Sequence, residues 1–208
     1  MSKSPIFSQA AYSLTKFQNI KVVFVGESTV GKTSIINIAN TGEFLETTPT
    51  VGACFLVNTY QINGRQIKLN LWDTAGQERY RSLTPIYFRD MDVGVLVYSI
   101  DNIESFNEIK KWHESIMNEL NHKPELYLVG NKSDLEDVRV VSYEMGEKMA
   151  NEINAKFFEL SAKTDKKGVR KMIYTVAEEI AIRIDSLMVA NNPPIERQKS
   201  PQQDGCCD

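Results

Sequence analysis

The sequence predicts an α/β protein with a six-stranded, mostly parallel sheet and helices on both faces. Apolar runs typical of buried strands alternate with stretches of helical periodicity along the chain, and such alternation favours a parallel sheet covered on both sides. The dipeptide Asn63-Gly64 separates two strand-like runs and favours a hairpin, because both residues of such a turn take positive φ. The hairpin predicts one antiparallel strand at the edge of the sheet.

The elements follow one another from about residue 19 to about residue 186. Strand patterns cover residues 20–25, 53–62, 66–72, 93–100, 126–129 and 157–160, and helical patterns begin near 35 and cover about 104–120, 142–153 and 165–186. Ser142 stands where an N-cap is expected, since its hydroxyl accepts a hydrogen bond from a free backbone N–H of the first turn.

Length and composition indicate one globular domain with short flanking segments. The chain has 208 residues, of which 42% are hydrophobic and 25% charged, enough for a core without disulfide support. We expect a flexible arm over residues 1–18, the domain over 19–186 and a disordered, proline-bearing tail over 187–208. A net charge of -3 argues against a general nucleic-acid binder. No apolar run reaches the length of a transmembrane helix or resembles a signal peptide.

The segment GESTVGKT, residues 26–33, predicts a phosphate site. It follows the first strand, precedes a helix and fits G-x-x-x-x-G-K-[ST], so the sequence predicts a P-loop NTPase sandwich rather than a chance glycine-rich turn. Lys32 is expected to reach the β- and γ-phosphates and Thr33 to bind Mg²⁺, while backbone N–H groups surround the phosphate oxygens. Asp73 ends a predicted strand and supplies a further magnesium carboxylate. The predicted phosphate-binding residues are Ser28, Thr29, Val30, Gly31, Lys32, Thr33 and Ser34.

The segment NKSD, residues 131–134, selects the base, which the phosphate loop alone leaves open between ATP and GTP. It follows the strand at 126–129, at the edge where open α/β sheets bind ligands. The carboxylate of Asp134 can accept both N1–H and N2–H₂ of guanine, whereas adenine offers neither donor there and would leave that carboxylate unpaired. Taken alone, NKSD could be a polar turn. The other predicted base contacts are Asn131, Lys132, Ser161, Ala162 and Lys163.

Taken together, these motifs resemble those of the Ras-like small GTPases and, within them, of the Rab branch. The resemblance covers residues 21–184 and is closest to the Rabs of early endocytic membranes. It implies that Thr50, in a first switch segment, joins Mg²⁺ and the γ-phosphate, and that Gly76, in a second switch segment, donates its N–H to the γ-phosphate. It also implies that Gln77 orients the attacking water and that Phe44 stacks on guanine. Finally, it implies an effector-binding aromatic triad. The segments that carry it are GESTVGKT, TVGACF at 50–55, KLNLWDTAGQERYRSLTPIYFR at 68–89, NKSD, SAK and VLVYSIDNIESFNEIKKWHESI, with the triad at Phe55, Trp72 and Tyr87.

Four features of the sequence depart from the family pattern. Thr33 replaces the commoner serine, which keeps a hydroxyl for Mg²⁺, and Ser28 stands where Ras itself has glycine, as is usual in Rabs. The interval from Thr33 to Thr50 is one residue shorter than usual. Ser99 replaces an aspartate that Rabs often carry.

The adjacent cysteines Cys206 and Cys207 on the polar tail resemble the double geranylgeranylation signal of Rabs. Two lipid chains would give stable membrane anchoring, where one gives only marginal binding. The alternatives are an unmodified end or redox-active vicinal thiols. Cys54 is expected to be a small strand residue, and three such cysteines favour a reducing compartment.

The sequence therefore predicts a slow GTPase that acts as a switch in vesicular membrane traffic. Its expected ligands are GTP or GDP with Mg²⁺, and its expected partners are an exchange factor, a GAP, a GDI or escort protein, effectors and, through the lipid, the cytosolic face of endosomal or vesicular membranes. The domain is expected to be monomeric and not to bind nucleic acid. Arg79 and Arg81 are expected to make effector or structural contacts, not to act as an arginine finger. The alternatives are a nucleotide-binding pseudo-GTPase without turnover and a P-loop metabolic kinase, for whose lid the chain has no spare length.

Overall fold

The computed structural model describes residues 19–50, 52–76 and 84–191, with side chains undescribed at 84–85 and 187–191. The predicted N-terminal arm lies outside these ranges. So do three predicted functional residues, Gln77, Cys206 and Cys207, together with Arg79 and Arg81.

The described strands form one six-stranded sheet in the order β2-β3-β1-β4-β5-β6. β2 runs antiparallel to β3, and the other neighbouring pairs are parallel, which confirms the predicted fold class. The strands are β1 (Asn19–Val25), β2 (Ala53–Ile62), β3 (Arg65–Thr74), β4 (Val93–Ser99), β5 (Glu125–Asn131) and β6 (Lys156–Glu159). The helices are α1 (Lys32–Thr41), α2 (Thr84–Phe88), α3 (Ile103–Asn107), α4 (Ile109–Glu119), α5 (Tyr143–Glu152) and α6 (Lys166–Asn191), with a 3₁₀ turn at Glu136–Val138.

The β2–β3 hairpin turns where the sequence indicates. Asn63 and Gly64 have φ of 51° and 75°, the two positive values that a two-residue hairpin loop requires. Ile62 pairs with Arg65 directly across this loop. The turn therefore sets the register of the whole edge strand.

Two apolar cores, one on each face of the sheet, hold the layers together. On one face, sheet residues such as Val22 and Val95 pack with Ile36 of α1 and Val176 of α6. On the other face, Val23 and Leu96 lie in the cluster that contains Ile109 and Ile116 of α4 and Met149 of α5. Neighbouring residues of β1 thus enter opposite cores, as the two-residue side-chain period of a strand requires.

The helices match their predicted positions with small differences. The predicted helix near 104–120 is interrupted at Glu108, which keeps helical dihedral angles. Ser142 caps α5 as predicted, since its Oγ accepts from the N–H of Met145 at 3.3 Å. α6 continues to Asn191, five residues past the predicted end. None of the described helices combines the length and the apolar composition that crossing a bilayer requires.

Candidate nucleotide site

A cavity of about 330 Å³ opens at the edge of the sheet where the parallel strands end. This volume lies within the range of small-molecule sites. The predicted nucleotide-binding residues all line it except Val30 and Ser161. The cavity is also lined by residues that the sequence analysis did not single out, namely Thr47, Thr48, Pro49, Thr74 and Leu135.

The phosphate loop wraps the N-terminus of α1. Gly31 precedes the helix in a left-handed conformation with φ of 97°. A Cβ added there would lie 2.2 Å from Nδ2 of Asn131, so the position requires glycine both for its dihedral angles and for space. Lys32, Thr33 and Ser34, the first three residues of α1, line the cavity, so the positive end of the helix dipole lies beside it, as an anion site requires.

Lys32 is a buried cation that backbone carbonyls hold in place. Its side chain has a relative exposure of 5%, and Nζ donates to the carbonyl oxygens of Gly26 and Glu27 at 2.8 Å each. Burial lowers the pKa of Lys32 to about 8, although the negative charges of Asp73 and Glu27 act to raise it. A phosphate group beside Nζ would favour the charged form again.

Thr33, Thr50 and Asp73 meet at one point, as the predicted magnesium site requires. The Thr33 hydroxyl donates to Oδ2 of Asp73 at 2.7 Å. The Thr50 hydroxyl donates to the same oxygen at 3.2 Å and lies 3.0 Å from the Thr33 hydroxyl. Three segments separated by 17 and 23 residues along the chain thus bring oxygen atoms together.

The residues fit Mg²⁺ because the other carboxylate oxygen of Asp73 is buried without a hydrogen bond from the described part of the chain. Oδ1 of Asp73 has no hydrogen-bond partner among the described residues. Burial raises the pKa of Asp73, while its contacts with Thr33, Lys32 and Thr50 oppose the rise. Described residues hold no cluster of three metal-ligating His, Cys, Asp or Glu side chains. A single carboxylate with hydroxyl oxygens suits a Mg²⁺ that takes its remaining ligands from phosphates and water.

Asn131 ties the phosphate loop to the two loops that are predicted to hold the base. Its Nδ2 donates to the carbonyl of Val30 at 2.7 Å, and its Oδ1 accepts from the N–H of Ala162 at 3.0 Å. The side chain is almost fully buried, at 2% exposure. The NKSD motif predicts a direct contact between Asn131 and guanine but gives no indication of this bridging role.

Ser161 and Val30 lie one layer behind the cavity wall. The Ser161 hydroxyl donates to a carboxylate oxygen of Asp134 and accepts from the N–H groups of Lys163 at 3.1 Å and Thr164 at 3.0 Å. Ser161 thereby orients the exposed carboxylate of Asp134 toward the cavity. Val30 belongs to the apolar core.

Phe44 and Gly76 come from the two predicted switch segments. Phe44 lines the cavity with 38% of its surface exposed, as a side chain that covers a base would. A Cβ on Gly76 would lie 2.5 Å from the carbonyl carbon and oxygen of Glu27. Gly76 therefore packs directly against the phosphate loop, where only glycine fits.

The aromatic triad forms a continuous half-exposed surface beside the site. Phe55 pairs with Trp72 across the hairpin, with ring centroids 5.2 Å apart, and Trp72 lies 6.0 Å from Tyr87. Phe55 is 49% exposed, while Trp72 and Tyr87 pack against the core on that face. Lys21 places Nζ 5.1 Å from the Trp72 ring centroid, a cation–π distance.

Comparison with known proteins decides the family. The sequence model of the Ras family matches residues 21–182. This range includes most of α6 and every strand, apart from the first two residues of β1. The chain belongs to the Ras family of small GTPases. It is also similar to the Ras-related protein RIC1 of Oryza sativa subsp. japonica, at 38% identity over 193 residues that cover 90% of this chain and 95% of that protein.

As a Ras-family GTPase, the protein is a GTP hydrolase of the P-loop fold. Proteins of this family bind GTP, GDP and Mg²⁺ and work with regulators and effectors, and the geometry around Lys32, Thr33 and Asp73 fits those ligands. The match does not separate the Rab branch from the other branches of the family. The Rab assignment and the early-endocytic subtype therefore stay predictions.

Proposed function

We propose that this GTPase is a Rab-like switch that recruits effectors in its GTP state during vesicular membrane traffic. The observation that supports the switch most directly is the contact between Thr50 and Asp73 at 3.2 Å. Thr50 belongs to the first predicted switch, and Asp73 begins the segment that leads into the second. One metal and phosphate site thus contacts both segments, so loss of the γ-phosphate would release both.

The residues of the site divide the work of phosphoryl transfer between them. Lys32 and the N-terminus of α1 bind and orient the phosphates, and Thr33, Thr50 and Asp73 would hold Mg²⁺. When bound, Mg²⁺ supplies positive charge that offsets the charge on the phosphate oxygens. Gln77 is proposed to orient the attacking water. Positioning and charge account for most of such catalysis.

Slow turnover is expected because the sequence motifs supply Lys32 and Gln77 for the phosphates and the water but no evident internal arginine finger. Without an arginine on the transferring phosphate, we expect turnover on the order of 10⁻⁴ to 10⁻³ s⁻¹, and an arginine from a GAP would raise it by roughly 10³- to 10⁵-fold. A long-lived GTP state suits a regulatory switch better than an enzyme that uses GTP as an energy source.

The Rab branch is supported by the triad and by the sequence of the tail. Phe55, Trp72 and Tyr87 join a half-exposed aromatic surface to the hairpin that ends at the metal site. Cys206 and Cys207 lie on a polar tail and are proposed to carry two lipid chains that anchor the domain to the cytosolic face of endosomal or vesicular membranes. Mass spectrometry of protein from its native cell tests this, and an unmodified C-terminal peptide would contradict it.

Competition between nucleotides tests the base assignment. GTP should displace bound fluorescent GDP far better than ATP. ITP, which lacks the N2 amino group, should bind roughly 10- to 150-fold more weakly than GTP, because one hydrogen bond to the Asp134 carboxylate is lost. The variant D134A should lose most of this preference, whereas D137A, an exposed carboxylate outside the cavity wall, should keep it.

Single-turnover hydrolysis separates the GTPase switch from the pseudo-GTPase. The full chain loaded with GTP should convert it to GDP within hours, and Q77A should slow that conversion without weakening GDP binding. Retention of uncleaved GTP by the wild-type chain over several days would favour the pseudo-GTPase. Bound ATP or ADP in extracts of the purified protein would overturn the guanine assignment itself.

A further inference from the structure

The end of β4 lies directly beside the loop that is predicted to recognise the base. Ser99, the last residue of β4, pairs with Asn131 across the sheet, and the N–H of Ile100 donates to the carbonyl of Asn131 at 3.1 Å. The turn that follows Ser99 is therefore placed beside the segment that carries Lys132. Lys132 itself lines the cavity and has a positive φ of 64°.

The turn after β4 holds a carboxylate toward Lys132. Oδ1 of Asp101 lies 3.7 Å from Nζ of Lys132, and the two side chains are 25% and 32% exposed. The buried hydroxyl of Ser99, a residue with 1% exposure, donates to the same carboxylate oxygen. The sequence carries serine at position 99 where an aspartate is frequent. Here the carboxylate stands two residues further on, and Ser99 binds it.

The backbone around Asp101 is firmly held, which makes it a suitable anchor. The N–H of Asn102 donates to the carbonyl of Ser99 at 3.0 Å. Ser105 donates its N–H to the Asn102 side chain at 2.9 Å, and its hydroxyl to the Asn102 carbonyl at 2.7 Å. Ser105 Oγ also accepts from the N–H of Ser99 at 3.1 Å. The carboxylate thus belongs to a turn whose polar groups are paired on both sides.

We propose that Asp101, held by Ser99, is a positioning residue that fixes Lys132 against the bound base and slows nucleotide release. A lysine side chain has several rotatable bonds, and ordering it opposes binding. An ion pair that already holds Nζ in the free protein removes part of that cost, because the stem of Lys132 then lies beside the base before the nucleotide arrives. This inference rests on the guanine site proposed above.

The release of fluorescent GDP from the full chain, chased with excess GDP, tests the proposal. The variant D101N should release GDP about 1.4- to 5-fold faster, the range for a partly exposed ion pair. K132M should release it faster still. Since Asp101 acts through Lys132, the double variant should release GDP at the rate of K132M alone. Raising the salt concentration should bring the wild-type rate toward that of D101N, because salt screens the pair.

A matched control removes a different ion pair. E152Q breaks the exposed contact between Glu152 and Lys110, whose atoms lie 2.7 Å apart on α5 and α4, and should leave GDP release unchanged. The proposal is overturned if D101N releases GDP at the wild-type rate, or if D101N accelerates release as much in the K132M background as in the wild type. Failure of the wild-type chain to bind GDP at all would instead overturn the guanine site.

Discussion

Replacing Asn131 by alanine should destabilise the fold and loosen the nucleotide site together. The Asn131 side chain satisfies two buried backbone groups, the Val30 carbonyl at 2.7 Å and the Ala162 N–H at 3.0 Å. Alanine removes both partners at once. Because Val30 and Ala162 belong to the phosphate loop and to the base loop, the substitution also cuts the link between them.

The structure sets the size of the effect. Each buried backbone group left without a partner costs about 1–3 kcal/mol, so N131A should lower the free energy of unfolding by about 2–6 kcal/mol. That is a large share of the roughly 5–15 kcal/mol available to a domain. At about 2–4 °C per kcal/mol for a domain of this size, the melting temperature should fall by roughly 4–24 °C.

Urea unfolding of the nucleotide-free chain measures the first quantity, and the dissociation rate of fluorescent GDP measures the second. N131D keeps an acceptor for the N–H of Ala162 but turns a buried carboxylate oxygen toward the Val30 carbonyl oxygen, so it should destabilise the domain at least as much as N131A. N58A is the control, since Asn58 donates a single hydrogen bond, to Ala39 at 2.8 Å, and should cost about 1 kcal/mol. A loss below 0.5 kcal/mol for N131A, in the range of ordinary surface changes, would refute the bridging role.

Three further predictions concern charged groups. The pKa of Lys32 is lowered to about 8 in the free domain, and a bound phosphate restores its proton, so GDP binding should take up about half a proton at pH 8 and about a tenth of a proton at pH 7. Calorimetry in buffers of different ionisation enthalpy measures this proton uptake. Equal uptake at both pH values would contradict the prediction. The same shift should make the nucleotide-free domain more stable as the pH rises from about 8 to about 10.5, where the unfolded chain binds more protons. Glu43, the residue before Phe44, forms an ion pair with Lys166 at the start of α6, with the charged atoms 2.5 Å apart. The variant E43Q should therefore accelerate GDP release at low salt, by a factor below about five. An equal acceleration at high salt would count against the ion pair.

The sheet and its hairpin could be predicted because their signals are local. The Asn63-Gly64 turn depends on the dihedral angles of two adjacent residues, and buried strands such as β4 show as continuous apolar runs. The N-cap at Ser142 likewise involves a partner only three residues away. The short helix α2 and the 3₁₀ turn at Glu136–Val138 were missed, because neither is long enough to show a helical period.

The nucleotide motifs could be predicted as segments, but the contacts within them could not. The partners of Asn131 lie 101 and 31 residues away, and no spacing rule connects them. Asp101 has no motif at all and gains its contact with Lys132 only because β4 and β5 are neighbours in the sheet. Leu135 lines the cavity because it follows Asp134 directly, so its position could be predicted from the motif.

The antiparallel edge strand places the aromatic surface next to the proposed phosphate and metal site. Parallel strands bring their carboxyl ends to the nucleotide, and since β2 runs the other way, its amino end reaches the same edge of the sheet. Ala53 pairs with Thr74, and the N–H of Ala75 donates to the carbonyl of Gly52 at 2.9 Å. The segments that carry Thr50 and Gly76 therefore leave the sheet side by side.

The aromatic pair Phe55 and Trp72 sits one residue further into the same hairpin than Cys54 and Asp73, which are themselves paired. Asp73 is a proposed metal ligand, so the distance from ligand to aromatic surface is a single step along the strand. Any change that moves Asp73 or Thr50 when the γ-phosphate leaves must act on the end of this hairpin. In the proposed switch, a change at the γ-phosphate would therefore reach the aromatic surface proposed to bind effectors through this hairpin alone.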